Sequence, residues 1–129
     1  MKLLLDTHTL FWAAAEPRKL SPRARLVLGD PDNELFVSSV SAVELAIKTH
    51  TGKLPGLGIA VLTFWQTALP TLRAVELPLL GAHGAEVELL PRHHKDPFDW
   101  MLIAQARVEN MPIVTDDDKM PLYDVELIW

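Results

Sequence analysis

The chain has 129 residues, 49% of them hydrophobic, which suits a single domain over residues 1–129 with a sizeable core. It has no cysteine, which excludes disulfides and thiolate metal sites, and no apolar run approaches the roughly 20 residues of a membrane span. The formal net charge of −5 argues against a protein that coats nucleic acid non-specifically. It is compatible with a nuclease, because carboxylates that hold divalent cations present positive charge to a phosphate. We therefore expect a cytoplasmic protein without a signal peptide.

Predicted strands and helices alternate along the chain. The strands are expected at residues 2–5, 35–38, 73–77, 113–115 and 125–129. The helices are expected at residues 7–15, 21–28, 41–50, 59–69, 79–90 and 97–110, with a Pro/Gly loop at 53–58 and a basic loop at 91–95. The fourth helix should stop at Pro70. This order predicts an α/β fold, with a parallel sheet of about five strands covered by helices on both faces.

Two acidic residues follow predicted strands. Asp6 comes directly after the first strand, and Asp117 lies just past the fourth, within the acidic run 116–118. Sites in parallel sheets form at the carboxyl ends of strands, so these two carboxylates can converge. Mg²⁺ prefers such oxygen ligands, and two ions about 3.5–4 Å apart can clamp a phosphodiester. Structurally, Asp6 equally fits a helix cap, and residues 116–118 fit a solvated turn.

Two further acids lie near the starts of predicted helices. Glu44 fits a capping box with Ser41 and an ion pair with Lys48, four residues later. Asp99 lies in the first turn of a helix for which Asp96 fits the N-cap. Taken alone, these acids are explained at least as well by capping as by chemistry. The sequence leaves open whether they share one sheet edge with the strand-end acids.

Several short motifs share their order and spacing with one family. They are LLDTH at 4–8, SSVSAVELAIK at 38–48, GKL at 52–54, HKDPFD at 94–99, LIAQA at 102–106, IVTDD at 113–117, and Tyr123. Together they resemble the PIN domain nucleases, specifically the VapC-type toxins of bacterial toxin–antitoxin pairs. The chain departs from one VapC subgroup at Trp100, where arginine is frequent, and at Met120, where phenylalanine is. The first departure puts a phosphate contact at that position in doubt.

The resemblance implies a Mg²⁺-dependent endoribonuclease in which a metal-activated water hydrolyses RNA, leaving a 5′-phosphate and a 3′-hydroxyl. Mn²⁺ is expected to substitute for Mg²⁺. The residues that the resemblance assigns as both catalytic and metal-binding are Asp6, Glu44, Asp99 and Asp117. Asp96 is a further candidate ligand, and Thr115 a supporting hydroxyl. Asp116 or Asp118 could take the place of Asp117. The resemblance also implies a homodimer and an antitoxin partner.

Cations near these acids are candidate contacts for the RNA backbone. They are Lys48, Lys53, Arg92 and Lys95. His93 and His94, in the same basic loop, fit a solvated loop nearly as well. Two other classes of function stay open: a Mg²⁺-dependent phosphohydrolase acting on small phosphate esters, and an inactive PIN-like binding module. The first lacks a recognisable phosphate-binding motif here, and the second typically loses site acids, whereas this chain has all four.

Overall fold

The computed structural model describes residues 1–53 and 57–129, so the predicted loop 53–58 lies partly outside the described residues, at 54–56. In the described residues a five-stranded sheet has the order β3-β2-β1-β4-β5. Its strands are β1 (Lys2–Leu5), β2 (Glu34–Ser38), β3 (Ala74–Leu77), β4 (Ile113–Val114) and β5 (Leu127–Ile128). Every neighbouring pair is parallel, which confirms the predicted α/β class.

Helices fill the connections between these strands. Those of the described residues are α1 (Thr7–Ala15), α2 (Pro22–Gly29), α3 (Ser39–His50), α4 (Val61–Leu72), α5 (Gly81–Val87) and α6 (Pro97–Glu109). Short 3₁₀ turns occur at Pro17–Lys19 and Met120–Leu122. In the described ranges, every helix is too short or too polar to cross a bilayer.

The start of α3 was predicted wrongly. The helix begins at Ser39 rather than at Ser41, because the Ser38 side chain accepts a hydrogen bond of 3.0 Å from the Val40 backbone N–H and caps the helix there. Ser41 is therefore inside the first turn and buried. The capping box proposed for Ser41 and Glu44 is excluded, which leaves the Glu44 carboxylate available for other partners.

The predicted stop at Pro70 is also wrong. Helix α4 continues through Pro70 and ends at Leu72, followed by Arg73 as the C-cap with a left-handed φ of 55°. A proline removes one backbone hydrogen bond from a helix. In the last turn this loss costs little, because few helical residues follow the proline. Ala68 and Leu69 are buried just before it. Their packing against the core outweighs the local preference for a break.

Helix α5 is shorter than the predicted span 79–90. At its start, the Leu79 backbone N–H donates to the Ser39 hydroxyl at 3.0 Å, which holds that residue outside the helix. At its end, the N–H groups of Leu89 and Leu90 bond carbonyls three residues back, at 3.0 and 3.2 Å. The chain there tightens into a turn instead of continuing as an α-helix.

The central strand β1 packs on both faces of the sheet. Leu4 lies in one core cluster with Ile103 of α6, while Leu3 and Leu5 lie in another with Ala24 of α2. Successive residues of a strand point to opposite faces, so a strand covered on both sides must be apolar throughout. The polar residues that follow β1 are therefore the first that can take part in chemistry, at the carboxyl edge of the sheet.

Replacing Trp65 with phenylalanine is expected to destabilise the fold by about 1 kcal/mol. The Trp65 indole N–H donates to the Glu76 carboxylate at 2.7 Å, which ties α4 to the edge strand β3. Phenylalanine keeps most of the buried ring but loses this donor. Urea denaturation would measure the change. A Glu76→Ala substitution, which removes the acceptor, should cost much less in the Trp65→Phe background than in the wild type; equal costs in both would contradict the coupling.

Candidate functional site

Asp6 lies at the carboxyl end of β1 and is only 5% exposed. Its Oδ1 accepts a hydrogen bond of 2.7 Å from the Thr9 backbone N–H, so it caps α1 as the structural interpretation predicted. Its Oδ2 accepts from the Thr115 hydroxyl. Burial raises the pKa of Asp6, and these hydrogen bonds oppose that rise. Capping and a role in a site are thus compatible at this residue.

Glu44 is equally buried, at 5% exposed, and faces α1 from α3. Its Oε1 accepts from the Thr7 hydroxyl at 2.6 Å, and its Oε2 lies 2.7 Å from the Lys48 Nζ. The Ser41 hydroxyl lies 2.9 Å from the Thr7 hydroxyl. Since Thr7 has one hydroxyl proton and gives it to Glu44, Ser41 must donate to Thr7. The predicted Glu44–Lys48 ion pair is confirmed, and Lys48 therefore neutralises a buried carboxylate.

Thr115 connects Asp6 to the loop after β4. The Thr115 hydroxyl donates to Asp6 and accepts from the Asp117 backbone N–H at 3.0 Å. A second hydroxyl, on Thr9, donates to the Val114 carbonyl at 2.8 Å and holds α1 against the end of β4. The Asp117 carboxylate also accepts from the Lys119 backbone N–H at 2.8 Å, so the predicted turn is present. These bonds bring the Asp117 backbone next to Asp6.

Asp99 is placed by the first turn of α6. Asp96 caps this helix by accepting from the Phe98 backbone N–H at 2.9 Å, as its position predicted. The Asp99 Oδ2 lies 2.9 Å from the His94 Nε2, and the His94 Nδ1 lies 2.7 Å from the Tyr123 hydroxyl. An ionised Asp99 accepts only, so Nε2 must carry a proton; a neutral ring then accepts from Tyr123 at Nδ1.

His94 was missed as a site residue by sequence reasoning, which weighed it as part of a solvated loop. Its side chain is only 9% exposed, and both ring nitrogens are within hydrogen-bonding distance of a partner. Its place at the start of the HKDPFD motif was the available signal. Tyr123 was noted only as a motif position. Its hydroxyl partner lies 29 residues away in the chain, so no local spacing could reveal the contact.

The carboxylates near Asp99 repel its negative charge. The pKa of Asp99 is raised to about 6, mainly by burial and also by the charges of Asp96 and Asp117, while the His94 hydrogen bond opposes the rise. The charge of Asp117 thus acts on Asp99, while its backbone N–H bonds to the same Thr115 hydroxyl that donates to Asp6. Glu44 joins the same edge through Thr7, the residue that follows Asp6.

The structure gathers these acids without closing them into a coordination shell. Among the described residues, no three His, Asp or Glu side chains are arranged closely enough to hold one metal ion. Both carboxylate oxygens of Asp6 and of Glu44 already accept hydrogen bonds or an ion pair. The donor set nevertheless fits Mg²⁺, because it consists of carboxylate oxygens and one of them already attracts the Lys48 ammonium. Ion binding would have to displace or share these partners.

The remaining predicted cations lie on the surface. Arg92 and Lys95 are exposed in the basic loop before α6, and Lys53 is exposed at the end of the first described range. The loop touches the acidic edge through His94. Lys53 lies beyond the C-terminal end of α3, the helix that holds Glu44.

Known proteins similar to this chain include a curated relative. It is Ribonuclease VapC22 from Mycobacterium tuberculosis (strain ATCC 25618 / H37Rv), which is 32% identical over 118 residues, covering 92% of this chain and 88% of that protein. At that identity and coverage the two proteins share a family.

Solved structures share the fold at low identity. The VapBC2 complex from Rickettsia felis, bound to a DNA fragment from its promoter, has a chain 16% identical with a TM-score of 0.72, covering 99% of this chain and 98% of that one. A toxin–antitoxin complex from Klebsiella pneumoniae has a chain 15% identical with a TM-score of 0.57, covering 89% of this chain and 86% of that one. The family model described as PIN domain matches residues 3–126, nearly the whole chain. With this match, the VapC22 relative and the strand-end acids in place, the chain belongs to the PIN domain family.

Proposed function

We propose that this protein is the toxin of a type II toxin–antitoxin system and acts as a Mg²⁺-dependent endoribonuclease. The observation that carries the proposal is the buried Asp6 carboxylate at the end of β1. It accepts a hydrogen bond from the Thr115 hydroxyl, which also accepts from the Asp117 backbone N–H, and the next residue, Thr7, donates its hydroxyl proton to Glu44. A relative at 32% identity is a ribonuclease by name. This edge of the sheet is where a parallel α/β fold places its chemistry.

The proposed metal ligands, directly or through water, are Asp6, Glu44, Asp99 and Asp117, with Asp96 as a further candidate. Bound Mg²⁺, for which Mn²⁺ substitutes, supplies positive charge beside the scissile phosphate and makes a water molecule acidic enough to attack at neutral pH. That charge would also relieve the repulsion of Asp99 by Asp96 and Asp117, which adds to burial in raising the pKa of Asp99. Hydrolysis leaves a 5′-phosphate and a 3′-hydroxyl.

The chain's own residues hold these carboxylates in place. The Thr9 backbone N–H and the Thr115 hydroxyl fix the orientation of Asp6. Thr7 orients Glu44, and Lys48 balances its charge, so a divalent ion at Glu44 would share the carboxylate with the Lys48 ammonium.

We propose that surface cations grip the RNA backbone beside this edge. They are Lys53, Arg92 and Lys95, together with Lys48. Exposed cations next to a carboxylate site provide the phosphate attraction that the acidic chain as a whole does not. The proposed protein partners are a cognate antitoxin and a second copy of the chain. The toxin–antitoxin complex of similar fold supports the antitoxin.

Cleavage assays on the purified protein test the proposal. RNA incubated with Mg²⁺ should be cut, the new ends should carry 5′-phosphates, and EDTA should stop the reaction. Cleavage that resists EDTA would contradict the metal mechanism. Hydrolysis of an aryl phosphate in place of RNA would instead indicate a small-molecule phosphohydrolase. Inactivity combined with no Mn²⁺ binding in calorimetry would indicate a binding module.

Replacing His94 with asparagine is expected to lower RNA cleavage about tenfold and to weaken Mn²⁺ binding. Without the imidazole, no other described residue bonds to the Asp99 Oδ2 and holds its orientation. Replacing a residue that orients a metal ligand typically costs about 10–100-fold in metal affinity or activity. Calorimetry of Mn²⁺ binding separates this positioning role from general destabilisation. His93→Asn is the matched control, because His93 is the exposed neighbour of His94. Unchanged Mn²⁺ affinity in His94→Asn would contradict the assignment.

A further inference from the structure

A cavity lies against the candidate site. It has a volume of about 480 Å³ and is lined by Arg92, His93, His94, Lys95 and Trp100. The His94 wall is also the residue whose Nε2 lies 2.9 Å from the Asp99 carboxylate. Trp100 directly follows Asp99 in α6. A ligand in this cavity would therefore sit next to the proposed cleavage site.

The Trp100 ring is held rigidly at the wall of this cavity. Its Nε1–H donates to the His94 carbonyl at 3.1 Å, and the His94 ring packs edge-on against it with centroids 6.5 Å apart. The indole is half-buried and also packs against the core cluster that contains Leu90. An aromatic ring that is already fixed loses little entropy when a second ring stacks on it, so Trp100 is suited to be a stacking platform.

The lining combines this ring with positive charge. Arg92 and Lys95 are exposed, and no acidic residue lines the cavity, although the chain carries a net charge of −5. A purely apolar ligand would not need the cations, and a free phosphate would not need the indole. A nucleotide has both an aromatic ring and a phosphate, and next to the proposed nuclease site the ligand that fits is one nucleotide of a single strand.

We propose that this cavity, here called the Trp100 cavity, binds one unpaired base of the RNA. The base stacks on Trp100 while Arg92 and Lys95 contact the flanking phosphates, so the adjoining phosphodiester lies on the Asp99 side. This inference rests on the proposed function and adds a requirement for unpaired RNA. Trp100 stands where one VapC subgroup frequently has arginine; a base contact at this position replaces the phosphate contact that an arginine would make.

Binding to two matched probes tests the Trp100 cavity. The first is a single-stranded oligoadenylate of about 12 nucleotides, and the second is an abasic ribose-phosphate chain of the same length and charge. Both are titrated against the Asp117→Asn variant, which the proposed function expects to be inactive. Adding Trp100→Leu should weaken oligoadenylate binding about tenfold and change the abasic Kd by less than about twofold. Adding Arg92→Gln should weaken both probes.

Trp100→Phe is the conservative control, because it keeps a ring for stacking and should retain most of the base-dependent affinity. Circular dichroism verifies that each variant is folded. If Trp100→Leu does not fold, the readout is quenching of tryptophan fluorescence by oligoadenylate, which should be present in the parent and reduced in Trp100→Phe. Unchanged oligoadenylate affinity in folded Trp100→Leu, equal losses on both probes, or equal quenching in Trp100→Phe would overturn the proposal.

Failure of the Trp100 cavity and failure of the proposed function are distinguishable. The first is read from the difference in Kd between two uncleaved probes. The second is read from cleavage of RNA by the wild-type protein with Mg²⁺. An active enzyme with no base-dependent binding would contradict only the proposed role of the Trp100 cavity. Base-dependent binding without RNA cleavage would contradict only the proposed nuclease function.

Discussion

Asp6→Asn and Asp99→Asn are each expected to reduce Mg²⁺-dependent RNA cleavage by more than about a hundredfold. Asparagine has nearly the size of aspartate but only one oxygen and no charge, so it is a poor ligand for a hard cation. At position 6 it remains a favoured helix cap, and the hydrogen bond from the Thr9 N–H can persist. The loss should therefore be chemical and not a loss of fold.

Gel assays of RNA cleavage over a range of Mg²⁺ concentrations measure this effect, and circular dichroism verifies folding. Asp116→Asn is the matched control, since Asp116 is exposed and lies in the same acidic loop as Asp117. It should keep nearly full activity. Full activity in both Asp6→Asn and Asp99→Asn would show that the proposed site is wrong. A loss of activity in Asp116→Asn would instead assign the acid of this loop to Asp116 in place of Asp117.

The metal-free protein is expected to lose stability as the pH rises through about 6, by an amount on the order of 2–3 kcal/mol from Asp99. Folding raises the pKa of this carboxyl from 3.8 to about 6, so the folded state binds the proton more tightly than the unfolded chain. The resulting stabilisation is fully present below pH 3.8 and is lost through about pH 6. Asp99→Asn should remove most of this pH dependence.

Several neighbours affect the size of this pH effect. Asp96 and Asp117 raise the pKa of Asp99, and the His94 hydrogen bond lowers it. The buried Asp6 carboxyl also has a raised pKa, so a slope of the same sign should remain in Asp99→Asn. Urea denaturation in EDTA between about pH 4 and 8 measures the slope. His94→Asn removes the imidazole and so measures its contribution to the slope. Asp116→Asn is the control and should have the same slope as the wild type. A slope identical in wild type and Asp99→Asn would contradict the prediction.

Local spacing was sufficient for much of the fold and for parts of the site. Apolar runs separated by helical segments predicted the parallel sheet, because only strands buried on both faces are apolar throughout. Asp6 at a strand end, the Asp96 cap and the Glu44–Lys48 pair each depend on residues within four positions of one another. Short-range geometry of this kind follows directly from the periods of strand and helix.

The contacts that assemble the site depend on the tertiary structure. Thr7 meets Glu44 across 37 positions, and Thr115 meets Asp6 across 109. These hydroxyls can orient the carboxylates only because β4 lies beside β1 in the sheet and α3 packs against α1. Packing also explains one error at a helix end, because buried side chains carry α4 through Pro70, whereas the early start of α3 follows from the local Ser38 cap.

By itself the sequence determined which acids were available, the α/β alternation and the family resemblance, since these depend on residue type and spacing. The tertiary structure decided what each acid contacts. It linked Asp99 through His94 to Tyr123, and it brought the Thr7 hydroxyl to Glu44. Burial and neighbouring charge, which set the pKa of Asp99 near 6, arise only when distant segments pack together.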